Sequence, residues 1–135
     1  FHNQGDGTFT DASAEAGLKD YGTSMGVGAG DFDGDGLLDL YVSNMFSGAG
    51  RRIIANAGRH NYPESVYKQL VGTSSGNTLY KNLGQNRFRQ VQYDSIINRV
   101  GWAYAGLFAD VDNNGWNDIY APSGFVSTDI EKPDS

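Results

Sequence analysis

The sequence repeats itself after 79 residues, and this repeat constrains the fold more than any other feature. The stretch DFDGDGLLDLY at 31–41 returns as DVDNNGWNDIY at 110–120, an offset of 79 (110 − 31), and the same offset places FHNQGDGTF at 1–9 on YKNLGQNRF at 80–88. Neither alignment needs a gap. Two separate stretches that share one offset indicate a repeated structural unit, which buries its faces by packing on neighbouring units.

Short strands dominate the predicted secondary structure. Strands are expected where apolar and polar residues alternate between turn residues, at 7–12, 24–32, 40–43 and 87–93. Glycines alternate with Met25, Val27 and Ala29 in the second of these strands. That spacing indicates that neighbouring backbone approaches one face of the strand closely.

Helix is predicted in two places only. The stretch 11–18 reads as one helical turn that ends at Gly17, and 63–70 as a short helix with Pro63 at its first position. The rest of 45–76 is rich in Gly and Ser and is predicted to be loop. With 19 Gly, 8 Tyr and 7 Phe among 135 residues, the composition favours short strands and tight turns, so the predicted fold class is all-β.

The composition also narrows the chemistry. Cysteine is absent, which removes disulfides and zinc–thiolate sites, and the formal charge of −6 argues against binding to nucleic acid. No apolar run approaches the roughly 18 residues of a membrane-spanning helix. The sequence starts at Phe1 without an initiator methionine, so it is expected to be a mature piece or an excised segment.

The first acidic loop predicts a calcium site. Carboxylates this close together repel one another unless a cation neutralises them, and calcium takes about six to eight oxygen ligands in flexible geometry. Gly36, at the sixth position, allows the chain to reverse. The twelfth position is Val42 rather than the Glu of an EF-hand loop. The predicted ligands are the side chains of Asp31, Asp33, Asp35 and Asp39 and the main-chain carbonyl of Leu37.

The second loop predicts a second calcium site at the matching positions. Its ligands are the side chains of Asp110, Asp112, Asn114 and Asp118 and the carbonyl of Trp116. With three carboxylates against four, it is expected to bind more weakly on charge alone. Two calcium ions would bring the net charge from −6 to −2 (−6 + 4). Ordinary solvated Asx–Gly turns are the simpler alternative, and magnesium suits such a loop less because it prefers strict octahedral geometry.

These stretches resemble the FG-GAP/VCBS repeat family. The resemblance rests on GVGAGDFDGDGLLDLYVSN, NQGDGTFTDASAEAGL, LYKNLGQNRF and AGLFADVDNNGWNDIYAPSGF, and it covers 1–44 and 78–125. The family includes integrin α-subunit propellers and many secreted bacterial proteins, and the sequence looks closest to the bacterial branch that carries UnbV/ASPIC domains. Asn114 in place of an Asp and the long segment 45–76 depart from the family pattern.

The resemblance implies a β-propeller with calcium loops between the first and second strands of each blade. Residues 1–23 would then end a preceding blade and connect it to the next. Residues 24–93 would form one blade, interrupted at 45–76, and 94–135 would begin a following blade. Because a propeller needs about four to eight blades, the chain is expected to belong to a larger protein or assembly.

The leading hypothesis is a non-catalytic binding, adhesion or scaffold module, located outside the cell, at the cell surface or in the periplasm. The segment 45–76 carries Arg51, Arg52, Arg59 and Lys68 against Glu64 alone, a local charge of +3 (4 − 1). This basic insertion in an acidic chain is the candidate contact for a protein or glycan partner, with a solvated decoration as the equal alternative.

Two other functions stay open. One is the propeller part of a polysaccharide-active enzyme, although His2 and His60 lie in no recognisable catalytic pattern. The other is a carbohydrate-binding module that uses Trp102, Trp116 and tyrosines, although aromatic residues at this spacing more often belong to a core.

Overall fold

The structure is a computed structural model that describes residues 1–91 and 96–124. Predictions for 92–95 and 125–135, including the last two residues of the strand at 87–93, lie outside the described residues. The strands are β1 His2–Asn3, β2 Phe9–Thr10, β3 Ser24–Gly30, β4 Asp39–Asn44, β5 Thr78–Asn82, β6 Phe88–Val91, β7 Leu107–Ala109 and β8 Asp118–Tyr120. The helices are α1 Gly48–Ala57 and α2 Glu64–Gly72, with short 3-10 turns at Arg59–Asn61 and Ile96–Asn98.

The central element is a four-stranded antiparallel sheet in the order β3-β4-β5-β6. Each strand pairs with its neighbour in the sequence, so the sheet is a simple meander, although 45–76 intervenes between β4 and β5. Two smaller antiparallel hairpins, β1-β2 and β7-β8, precede and follow it. The strands form antiparallel sheets, in agreement with the all-β prediction. The α-helices of the described residues, α1 and α2, lie in the segment 45–76.

The hairpins reproduce the sequence repeat in their strand register. Gly28 pairs with Tyr41 and Gly30 with Asp39 in the first hairpin; the residues 79 positions later pair in the same way, Leu107 with Tyr120 and Ala109 with Asp118. The isolated bridge from Ala103 to Ser123 likewise matches Ser24 with Asn44. The described parts of the two units therefore have the same backbone arrangement.

One face of β3 is packed directly on the backbone of the second unit. A Cβ atom on Gly26 would lie 2.8 Å from the carbonyl oxygen of Tyr104, and one on Gly28 would overlap the carbonyl of Gly106. This confirms the close approach predicted from the glycine spacing. The opposite face carries Met25 and Val27, which are exposed, Val27 to 64%.

The core is small and contains hydrogen-bonded polar groups. Tyr41, Leu79, Tyr80 and Ala103 are its buried apolar or aromatic side chains among the described residues. The Tyr41 hydroxyl donates to the carbonyl of Ile97 at 2.9 Å and accepts from the side-chain amide of Asn77 at 2.7 Å. These bonds connect β4 to the 3-10 turn at Ile96–Asn98, which precedes β7.

The prediction of loop for most of 45–76 is wrong, because α1 occupies Gly48–Ala57. Ser47 caps this helix by accepting a hydrogen bond from the N–H of Gly50 at 2.9 Å. Two glycines in the first turn make the segment look like loop, whereas the cap and the following Arg, Ile and Ala residues support helix. The second helix is confirmed at Glu64–Gly72, but Pro63 precedes it as the N-cap instead of occupying its first position.

Candidate metal centre

Both acidic loops connect the strands of a hairpin. The first, residues 31–39, joins β3 to β4, and the second, residues 110–118, joins β7 to β8. Each loop starts directly after the first strand of its hairpin. Each ends with an Asp, Asp39 or Asp118, that is the first residue of the second strand. The loops differ in sequence, but the strands hold their ends in the same register.

The first Asp of each loop organises the turn by accepting main-chain hydrogen bonds. Asp31 accepts from the N–H groups of Gly34 and Gly36, both at 2.8 Å. Asp110 accepts in the same way from Asn114 at 3.0 Å and from Gly115 at 2.8 Å. These are Asx-type hydrogen bonds of a tight turn, so by themselves they do not distinguish a metal site from an ordinary turn.

Left-handed backbone conformations close both loops. Gly34 and Gly36 have φ angles of 74° and 83°, as expected for a reversal at Gly36. In the second loop Gly115 has a φ of 91°, and Asn113, which replaces a glycine at the offset of 79, has a φ of 59°. Asn tolerates this conformation better than most residues, so the second loop keeps the same path.

The last Asp of the first loop is fully buried. Its two carboxylate oxygens accept from the N–H of Asn82 at 2.7 Å and from the N–H of Phe32 at 3.1 Å. Asp39 thus links its own loop to β5. Asp118, its counterpart, accepts from Val111 at 3.2 Å and is only half-buried.

Three carboxylates converge in each loop. Oxygen atoms of Asp31, Asp33 and Asp39 all lie within 4.8 Å of one another. Those of Asp110, Asp112 and Asp118 do the same. Asp33 Oδ1 is buried and has no hydrogen-bond partner among the described residues. Six of the predicted ligand side chains are therefore brought together as two groups of three.

The remaining predicted ligands are engaged within the loops. Asp35 accepts from the N–H of Leu37 at 2.9 Å, and Asn114 accepts from the N–H of Trp116, also at 2.9 Å. Asp35 also turns its other oxygen toward Lys81, 2.9 Å away. The carbonyl groups of Leu37 and Trp116 stay predicted ligands.

Lys81 is a residue at the first acidic loop that sequence reasoning missed. Its ammonium group contacts Asp33 Oδ2 as well as Asp35, which raises the pKa of the lysine, while the hydrogen bond from Lys81 lowers the pKa of Asp35. The repeat gives no signal for it, because the offset of 79 pairs Lys81 with His2. Its place beside the loop is visible only in the structure, where the next residue, Asn82, donates its N–H to Asp39.

The two loops touch each other. The Trp116 ring lies over Gly34, at 3.1 Å from where a Cβ atom of that residue would be. The side-chain amide of Asn117 donates to the main-chain carbonyl of Asp31 at 2.8 Å. Trp116, for which the sequence favoured a place in the core, is 60% exposed outside this contact. The second loop therefore supports the first from one side.

A model of the FG-GAP-like repeat matches residues 1–42 and 69–121, which include both acidic loops and their hairpins. The chain belongs to the FG-GAP-like repeat family. This confirms the resemblance predicted from the two loops, and the unmatched gap at 43–68 coincides with α1 and the start of α2.

Two curated relatives are similar over 89 residues, 65% of this chain. They are cartilage acidic protein 1 of Homo sapiens, 32% identical, and of Mus musculus, 30% identical. The aligned part spans 11% of the length of each relative. No solved structure matches the chain significantly. Among the described residues, none of the helices is long and apolar enough to cross a membrane.

Proposed function

We propose that the chain is part of a calcium-binding extracellular β-propeller that serves as a non-catalytic binding, adhesion or scaffold module. The observation that carries this proposal is the convergence of three carboxylates at the same place in both repeated hairpins. An ordinary Asx turn needs one carboxylate, whereas a cation site needs several oxygen atoms that face one point.

The residues present fit calcium. The donor set consists of carboxylate oxygens, which hard divalent cations prefer, and the buried Oδ1 of Asp33 has no hydrogen-bond partner among the described residues. Asp31, Asp33, Asp35, Asp39 and the Leu37 carbonyl would hold one ion. The corresponding second set is Asp110, Asp112, Asn114, Asp118 and the Trp116 carbonyl. A bound ion would supply positive charge that offsets repulsion between the carboxylates and would thereby stabilise each loop.

The strand topology supports the propeller. A four-stranded antiparallel meander is the unit from which propeller blades are built, and β3-β4-β5-β6 has this form. The hairpins β1-β2 and β7-β8 correspond to the last two strands of one blade and the first two of another. The exposed apolar side chains of Met25 and Val27 lie where a preceding blade would pack.

An extracellular, non-catalytic role agrees with the relatives and with the contacts of the carboxylates. The curated relatives are named for cartilage, which favours a location outside the cell. Asp31 and Asp39 have their oxygens occupied by main-chain N–H groups, which suits ligands of a structural ion better than groups that exchange protons.

The basic insertion is the proposed contact with a partner. None of the residues of α1 is buried, and Ile53 is 69% exposed beside the exposed Arg51 and Arg52. A helix that presents both apolar and basic side chains suits an acidic protein surface or an anionic glycan.

Calcium titration with thermal melting tests the proposal. The melting temperature should rise with calcium, because binding to the folded state stabilises it by about 2.7 kcal/mol at a concentration of 100 times Kd. Excess EGTA should reverse the shift, and magnesium at equal concentration should give a smaller one. An unchanged melting curve at millimolar calcium would overturn the calcium proposal.

Glycan binding is the second candidate, favoured by the exposure of Trp116 and Tyr120 to 60% and 57%. Exposed aromatic rings can stack on sugar rings in the way that they bind other flat or apolar ligands. A glycan array, followed by tryptophan fluorescence with any glycan that binds, separates this candidate from protein adhesion. Binding that disappears in Trp116→Ala would favour the glycan.

A further inference from the structure

Lys81 occupies a fixed position against the first acidic loop. It belongs to β5, where it pairs with Arg89, and the next residue, Asn82, donates its N–H to Asp39 of the loop. The side chain of Lys81 is only 23% exposed, and its ammonium group touches Asp33 and Asp35. The position of Lys81 in β5 therefore holds its ammonium group against the loop, which distinguishes Lys81 from an exposed surface lysine.

The cation changes the charge of the first loop. The four carboxylates of this loop and the ammonium group sum to −3, compared with −4 for the carboxylates alone. Lys81 supplies this positive charge from a position 42 residues after Asp39, the last Asp of the loop (81 − 39).

We propose that Lys81 is a built-in counter-ion that sets the calcium affinity of the first loop by competing with the metal for Asp33 and Asp35. This inference rests on the proposed calcium function. An ammonium group that contacts Asp33 Oδ2 repels a divalent cation held by Asp33 Oδ1, and the repulsion is strong because the side chain is largely shielded from water.

The same contact has the opposite effect without metal. In the calcium-free protein, Lys81 is the positive charge that offsets repulsion between the aspartates. Removal of its charge should therefore raise the affinity of the loop for calcium and lower the stability of the calcium-free fold. A lysine with a purely structural role would lower stability without raising affinity, so the two measurements together identify the role.

The experiment compares Lys81→Met, Lys81→Gln and Lys81→Arg in a background where Asp112→Asn and Asp118→Asn weaken the second site. Calcium Kd is measured by isothermal titration, and calcium-free stability by thermal melting in EGTA. Both neutral variants should bind calcium roughly tenfold more tightly than the background protein and melt several degrees lower. Lys81→Arg keeps the charge and should stay within about twofold in Kd.

Lys19→Met is the matched control, since Lys19 is an exposed lysine that forms no ion pair with another described residue. It should change neither quantity. If the background protein binds calcium and neither neutral variant binds it more tightly, Lys81 does not compete with the metal and the inference is overturned. If wild-type protein itself binds no calcium, the proposed function fails first. Should Lys81→Met fold poorly, Lys81→Gln keeps two hydrogen-bond donors and decides the question.

Discussion

The side-chain amide of Asn117 donates a hydrogen bond of 2.8 Å to the main-chain carbonyl of Asp31, and so joins the second acidic loop to the first. Trp116, the preceding residue, covers Gly34 of the first loop. Two loops that are 79 residues apart in the sequence therefore form one continuous surface.

Asn117→Ala should lower the free energy of unfolding by about 0.5–1 kcal/mol, because it removes one partly solvated hydrogen bond. Chemical denaturation in urea measures the change. Asn56→Ala, an exposed position on α1, serves as the control and should be close to neutral. Equal stability of the two variants would show that the bond between the loops contributes nothing.

Gly26→Ala should destabilise the protein by roughly 1–3 kcal/mol. The new methyl group would lie 2.8 Å from the carbonyl oxygen of Tyr104, so the two units would have to move apart. Gly48→Ala is the matched control: no atom lies within 4 Å of a Cβ there, and alanine favours helix. Thermal melting should place the control at or above wild type, and a tolerated Gly26→Ala would argue against tight packing of β3.

Loss of the hydroxyl group should change the free energy of unfolding differently at two buried tyrosines, Tyr41 and Tyr80. Tyr41→Phe leaves the carbonyl of Ile97 and the amide of Asn77 without this partner and should cost about 1–3 kcal/mol. Tyr80→Phe removes a buried hydroxyl that has no hydrogen-bond partner in the part of the chain that the structure describes, so stability should stay level or rise. Urea denaturation of both variants measures the contrast, which disappears if the Tyr80 hydroxyl is in fact bonded.

Stability should fall in alkali between about pH 10 and 12. Burial, with a smaller contribution from the charge of Asp20, raises the pKa of Tyr80 from its ordinary value of 10.0 to about 12. Because this pKa is raised in the folded state, the neutral Tyr80 hydroxyl group makes its full contribution to the free energy of unfolding below pH 10. That contribution is lost as the pH rises through 12. Melting temperatures across this range should fall less steeply in Tyr80→Phe, and parallel curves would contradict the assignment.

Asp39→Asn should destabilise the calcium-free protein by about 2 kcal/mol in EGTA, because an amide offers only one oxygen where two N–H groups donate to Asp39. Asp118→Asn is the control, since Asp118 accepts from Val111 alone within the described chain. Its cost should be under about 1 kcal/mol. Similar losses in the two variants would mean that Asp39 does not link its loop to β5.

The sequence was a good guide wherever a local rule governs the structure. The Asp–Gly spacing predicted tight loops, because a reversal of the chain depends on sterics within a few residues. The glycine spacing in β3 predicted close packing, because a strand face without side chains admits neighbouring backbone from any part of the chain. The offset of 79 predicted equivalent hairpins, which the register of Gly28 with Tyr41 and of Leu107 with Tyr120 reproduces.

Features that depend on distant residues escaped prediction. Lys81 lies beside the first loop because β5 pairs with β4, and no residue near Asp33 in the sequence predicts a cation at this place. Trp116 was expected to pack in a core, yet its contact is with Gly34 of the other unit. The helix α1 was hidden by two glycines in its first turn, and the cap at Ser47 outweighed them.

The bridge between Phe46 and Ser75 closes the insertion at its base, and the N–H of Ser47 also points to the carbonyl of Ser74 at 3.5 Å. The chain thus leaves the sheet and returns to it at almost the same point. We therefore expect that the segment between these residues can be exchanged for another sequence without altering strand order or loop register. Such a position lets a repeat protein acquire a new specificity by replacing one segment, and it offers an attachment point for grafted peptides.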